Sequence, residues 1–115
     1  MPTILLVEDE PQARELWARV LRKAGYEIIA LDSVEKARMI YKPGEIDLVL
    51  SDNKCPQDNN GRDWLKELQP NQKVLLMSGQ NVEDLGNLPL IAKPIDTAEL
   101  LAKVAEILGQ STPPD

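Results

Sequence analysis

A chain of 115 residues, 43% hydrophobic and 28% charged, can bury one core and reads as a single soluble domain. Nineteen acids against 13 bases give a formal net charge of −6, which argues against a nucleic-acid surface and fits cation binding, a basic partner or simply a solvated acidic face. The absence of histidine removes Ser-His and Cys-His catalysis, the usual zinc sites and any role as a phosphohistidine carrier. A single cysteine, Cys55, cannot close an internal disulfide and points to a reducing compartment. No apolar run reaches the roughly 18 residues of a membrane span, and Met1-Pro2-Thr3 enters a strand without signal-peptide architecture. The expectation is a cytoplasmic protein with no membrane insertion.

In chain order, Thr3 to Val7 is a short apolar run that suits a first buried strand, ending in Glu8-Asp9-Glu10-Pro11. Pro11 fits the first turn of a helix, and Ala13, Leu16, Trp17, Val20, Leu21 and Ala24 then recur at helical spacing until Gly25. Tyr26 to Leu31 reads as a second, more exposed strand near a sheet edge. Asp32-Ser33-Val34-Glu35 has the spacing of a capping box and opens a helix to about Tyr41, stopped by Pro43-Gly44. Leu48-Val49-Leu50-Ser51-Asp52 is a third strand, followed by a polar loop from Pro56 to Gly61 and a short helix from Asp63 to Leu68. Lys73 to Met77 is a fourth strand ending in Ser78-Gly79. From Gln80 to Pro89, with Gly86 and Pro89 as breakers, at most one or two helical turns fit. Leu90-Ile91-Ala92 is a brief fifth strand before Lys93-Pro94. Asp96-Thr97-Ala98-Glu99 repeats the capping-box spacing and opens a last helix to Leu108, closed by Gly109. The domain is thus expected over 1–108, with 109–115 a flexible tail or the start of a linker.

Strands alternating with helices predict an α/β fold with a parallel sheet covered on both faces. Its strand ends share one edge, where such sheets bind ligands. That edge collects Glu8 and Asp9 after the first strand, Asp52 after the third, Ser78 after the fourth and Lys93 after the fifth. Taken singly, each has a plainer role: acids at a helix N-terminus, a turn cap, a turn serine, a surface lysine. Together they form a coherent site. Clustered carboxylates repel and favour either a proton or a hard divalent ion such as Mg²⁺. Asp52 can then attack a phosphoryl group to give an acyl phosphate, with Lys93 and the Ser78 hydroxyl placed to meet its oxygens.

These residues resemble the receiver domains of two-component response regulators. The matching stretches are Leu5 to Pro11, Asp47 to Asp52 with Pro56 and Gly61, Met77-Ser78-Gly79, and Ala92-Lys93-Pro94. The resemblance covers Thr3 to Leu108 and implies a flavodoxin-like (βα)5 sandwich with sheet order 2-1-3-4-5. It implies that Asp52 takes phosphate from a phosphohistidine on a sensor histidine kinase or phosphotransfer protein and acts as a conformational switch on a downstream protein. Asp9, Asp52 and the backbone carbonyl of Lys54 would ligate Mg²⁺, with Glu8 acting through water. Lys93 would pair with the phosphoryl group through a cis Lys93-Pro94 bond, and Gly79 would leave room for the donor.

Two departures stand out. Only 15 positions separate Ser78 from Lys93, so the fourth helix is expected to be shortened or missing; this spacing, with Met-Ser-Gly, resembles receiver domains of some hybrid histidine kinases. Leu90 stands where the family usually has Tyr or Phe, which puts the usual signalling face in doubt. Lys54 and Gln80 flank the path of attacking water, and Lys54 is expected to modulate dephosphorylation by pairing with a phosphoryl oxygen or blocking water. The alternative reading is a constitutive receiver-like interaction module whose site does not cycle. A hydrolase using an aspartyl-phosphate is disfavoured, because Lys54 stands where a second acid would act. Leu100 and Ile107 look displaced from the core stripe of the last helix and suit a partner or a homodimer, or equally a broad core contact.

Overall fold

The computed structural model describes residues 1–79 and 81–110. In chain order it contains β1 (Thr3–Val7), α1 (Pro11–Lys23), β2 (Glu27–Leu31), α2 (Val34–Ile40), β3 (Leu48–Asp52), α3 (Asn60–Leu68), β4 (Val74–Ser78), β5 (Leu90–Ala92) and α4 (Thr97–Ile107). The strands are parallel and ordered β2-β1-β3-β4-β5, the flavodoxin-like arrangement expected. From β1 the chain winds outward to β2, then returns across β1 to β3. The ends of β1 and β3 therefore flank the point where the winding reverses, which is where a crevice opens in such sheets.

Two cores explain the apolar runs. Ile4 and Leu6 of β1, Leu48 and Leu50 of β3, and Leu75 and Met77 of β4 face α1 and α4. The alternate residues Leu5, Val7, Val49, Val74 and Leu76 face α2 and α3 with Val34, Trp64 and Leu65. Strands buried on both faces carry no polar alternation, so β3 and β4 are buried at every position and end in Asp52 and Ser78. Register then sets the site. Asp52 lies beside Met77, and Ser78 beside Ala92, which leaves Lys93 just past the edge.

Several boundaries differ from expectation. The N-cap of α2 is Ser33, whose hydroxyl accepts from the Lys36 amide at 3.1 Å, so Asp32 lies outside the cap and pairs with Lys36 instead. Asp96 caps α4 by position without a side-chain bond. Helix α3 begins at Asn60 rather than Asp63, because Asn59 takes a left-handed conformation at φ 68° and turns the chain earlier. Among the described residues no helix joins β4 to β5; Val82, Leu85 and Leu88 pack on the second core from an irregular segment. Leu100 is fully buried in the first core and Ile107 packs against it, so the broad core contact accounts for both. Gln110 accepts from the Tyr26 hydroxyl at 2.9 Å, while 111–115 lie outside the described residues.

Candidate functional site

At the end of β1, Glu8 is buried with 1% exposure. One of its carboxylate oxygens accepts from the Glu10 amide at 3.2 Å, and Arg14 holds its backbone carbonyl at 3.0 Å. Glu10 caps α1 by accepting from the Gln12 and Ala13 amides at 3.3 and 2.7 Å. That division of labour matters: Glu10 serves the helix, and Glu8 and Asp9 remain for the crevice.

Asp52 is 7% exposed, with both carboxylate oxygens engaged. Oδ1 meets Lys93 Nζ at 2.5 Å, and Oδ2 accepts from the Lys54 amide at 3.1 Å. Lys93 Nζ also reaches Glu8 Oε1 at 3.4 Å. Behind Asp52 the fit is close. A Cβ on Gly61 would lie 2.0 Å from the Asp52 carbonyl oxygen, so only glycine lets the start of α3 press on this backbone. The Gly61 amide donates to the Asn53 carbonyl at 3.0 Å, and Asn60 and Cys55 exchange two hydrogen bonds of 2.9 Å. Ser78 is 6% exposed at the end of β4, and its carbonyl accepts from the Lys93 amide at 2.8 Å. The Lys93–Pro94 bond is cis. Asp52, Lys54, Asp58, Ser78, Gly79 and Lys93 line an open cleft of about 420 Å³. A Cβ at Gly79 would sit 3.6 Å from that of Lys93, an ordinary contact, so small size there is a convenience rather than a necessity.

The electrostatics are those of excess negative charge. Glu8 is held above the ordinary carboxylate range, first by burial and then by the charge of Asp52, with Lys93 opposing. Burial pulls the Lys93 ammonium down, but the hydrogen bond and charge of Asp52, reinforced by Glu8, leave it above its usual value. Oxygen atoms of Glu8, Asp9 and Asp52 all lie within 4.8 Å of one another. Three carboxylates facing one ammonium are an oxygen-only donor set suited to a hard divalent cation. Cys55 is fully buried and its thiol is pushed up to about 12, chiefly by burial, so it behaves as a small core residue. Every strand-end residue singled out in the sequence comes to this edge; Gln80 lies outside the described residues. The exchange of hydrogen bonds between Asn60 and Cys55, which fixes the loop after Asp52, is not legible as such in the sequence. Its signal was Asn59-Asn60 ahead of Gly61, residue types that tolerate the left-handed turn.

A parallel sheet with acids at the winding reversal, an acid and a lysine in ion pair, and a hydroxyl at the neighbouring strand end define the class of aspartate-centred phosphoacceptor domains. The model of the response regulator receiver domain family matches residues 4–105, and the chain belongs to that family. It is 28% identical to the DNA-binding transcriptional regulator NtrC of Azospirillum brasilense over 97% of this chain and 25% of that protein. The receiver domain of the hybrid histidine kinase CckA is 33% identical, with a TM-score of 0.77 over 92% of this chain and 98% of that one. The response regulator TrrA of Thermotoga maritima, solved in complex with Mg²⁺ and BeF, is 28% identical with a TM-score of 0.80 over 93% and 99%. The chain spans between 24% and 54% of the length of the first three curated relatives it matches. As a receiver domain it is a phosphoacceptor signalling domain rather than a conventional enzyme, and the constitutive module is not favoured. No described helix is long and apolar enough to cross a membrane.

Proposed function

We propose that Asp52 is the phosphoacceptor and that its donor is a phosphohistidine on a sensor histidine kinase or phosphotransfer protein. The observation that carries this is the meeting of Asp52 with Lys93, Glu8, Asp9 and Ser78 in one open cleft. An Asp52 carboxylate oxygen attacks phosphorus, the P–N bond to the donor imidazole breaks, and the imidazole leaves with the electron pair. Glu8, Asp9, Asp52 and the Lys54 carbonyl would hold Mg²⁺, which when bound neutralises charge on the carboxylates and the transferring group. Lys93 passes from Asp52 to a phosphoryl oxygen, and the buried Ser78 hydroxyl donates to another. Lys54, on the cleft wall, sets the lifetime of the acyl phosphate by pairing with it or obstructing water.

Incubation with Mg²⁺ and acetyl phosphate, read by intact mass, is expected to add one phosphoryl group per chain, with none in excess EDTA. No adduct from any donor would support the constitutive module. Multiple turnovers on small phosphate esters would support a hydrolase.

A further inference from the structure

Helix α1 sends two arginines to backbone carbonyls. Arg14 Nη1 donates to the Glu8 carbonyl at 3.0 Å, and Arg22 Nη2 donates to the Ile28 carbonyl at 3.2 Å, each across six positions of sequence. The Ile28 bond lies on the edge strand β2, away from the acids. The Glu8 bond lies among them. The register of β1 with both neighbours runs to Val7, and the Glu8 amide adds one more bond, to the Leu31 carbonyl at 3.0 Å. Past that point Arg14 supplies the donor for the Glu8 carbonyl. The Glu8 carboxylate is held as well, by the Glu10 amide at 3.2 Å and Lys93 at 3.4 Å. Glu10 in turn is locked as the cap of α1. Asp9 therefore hangs between two anchored residues, and its carboxylate joins those of Glu8 and Asp52 within 4.8 Å.

We propose that Arg14 is a positioning residue for the divalent ion: by holding the Glu8–Asp9 peptide it keeps both carboxylates gathered with that of Asp52. The inference rests on the reading of Glu8, Asp9 and Asp52 as the ion's ligands. The Glu8 carbonyl and the Asp9 amide belong to one planar unit, so a guanidinium against the carbonyl fixes the plane from which the Asp9 side chain departs. Arg14 grips backbone, which leaves the carboxylate oxygens to the crevice. Its charge also reaches Asp32 past the end of β2, whose carboxyl is held below the ordinary range chiefly by a hydrogen bond from Lys36, with the charges of Lys36 and Arg14 adding to it. The guanidinium is thus half-buried between the ends of β1 and β2. Without it the Glu8–Asp9 peptide can turn, and carboxylates that repel one another spread apart. Binding an ion must then restore the arrangement, at a loss of affinity.

A Mg²⁺ titration read from the backbone amide NMR shifts of residues 7–10 and 52–54 tests this, with thermal melting in EDTA on the same samples. Arg14→Ala is expected to weaken Mg²⁺ binding about tenfold. Arg22→Ala removes the matching bond at the far end of the same helix; it is expected to lower the melting temperature to a similar extent and to leave Mg²⁺ affinity unchanged. Arg14→Lys, with a shorter side chain and an ammonium in place of the planar fork, is expected to fall between wild type and Arg14→Ala. If the alanine variant does not fold, Arg14→Lys against Arg22→Lys carries the same comparison. Equal Mg²⁺ affinity in wild type and the Arg14 variants, or equal losses at Arg14 and Arg22, overturns the positioning role and leaves the ion site standing. Wild-type shifts that do not move with Mg²⁺ overturn the ion site itself, and the role of Arg14 falls with it.

Discussion

Single residues decide the chemistry of this edge, and their charge balance makes it testable. Glu8, Asp9 and Asp52 are legible in the sequence because they stand within two residues of the end of a short apolar run, and the end of a buried strand is where polarity must return. Less visible was that Glu10 belongs to the helix, since three acids in a row look alike until the cap is drawn. Glu8 is raised above its free value, so the folded protein holds that proton more tightly than the unfolded chain. For an acid raised on folding, stability is highest below the unfolded value near 4.5 and is lost as pH climbs through the folded one. In EDTA at neutral pH, Glu8→Gln is therefore expected to melt a few degrees higher than wild type, the gap closing toward pH 4.5 and narrowing when Mg²⁺ is added. A lower melting temperature in EDTA would contradict the charge balance. Lys54→Ala is expected to change the acyl-phosphate lifetime severalfold, measured by decay of the intact-mass adduct after donor removal; an unchanged lifetime removes Lys54 from that role.

At the scale of elements, side-chain periodicity marks most of the secondary structure. Helix α1 and the alternation of strands were legible because side-chain spacing is set by backbone geometry alone. Caps were less legible: Asp32 and Ser33 are both good cap residues, and only the chain's path selects Ser33. Leu100 looked peripheral because the sequence does not show how far a helix rolls over its sheet; α4 buries Leu100, Val104 and Ala105 together. Helix α3 starts earlier than its sequence suggests because Asn59-Asn60-Gly61 reads as turn, yet Gly61 is the residue that lets the helix touch Asp52. Gly61→Ala is expected to force the two apart at a cost of about 1–3 kcal/mol, read as a lower denaturant midpoint, with slower phosphorylation from acetyl phosphate. Wild-type stability in that variant would mean the contact is not tight.

For the whole molecule, the winding order does the organising. Because β1 lies between β2 and β3, two separate stretches of acid meet at the reversal, and β4 and β5 add a hydroxyl and an ammonium from the far side. That much follows from strand order and could be anticipated. The grip of Arg62 and Lys66 on the segment before β5 could not, because both bonds go to backbone carbonyls, which leave no mark on residue type. The short span from Ser78 to Lys93 showed that a full helix would not fit; it did not show what replaces it. The central claim is that Asp52 carries the phosphoryl group. Wild type and Asp52→Asn, incubated side by side with Mg²⁺ and acetyl phosphate and weighed intact, test it most directly. Wild type is expected to gain one phosphoryl group and the variant none; equal modification of both would mean that Asp52 is not the acceptor.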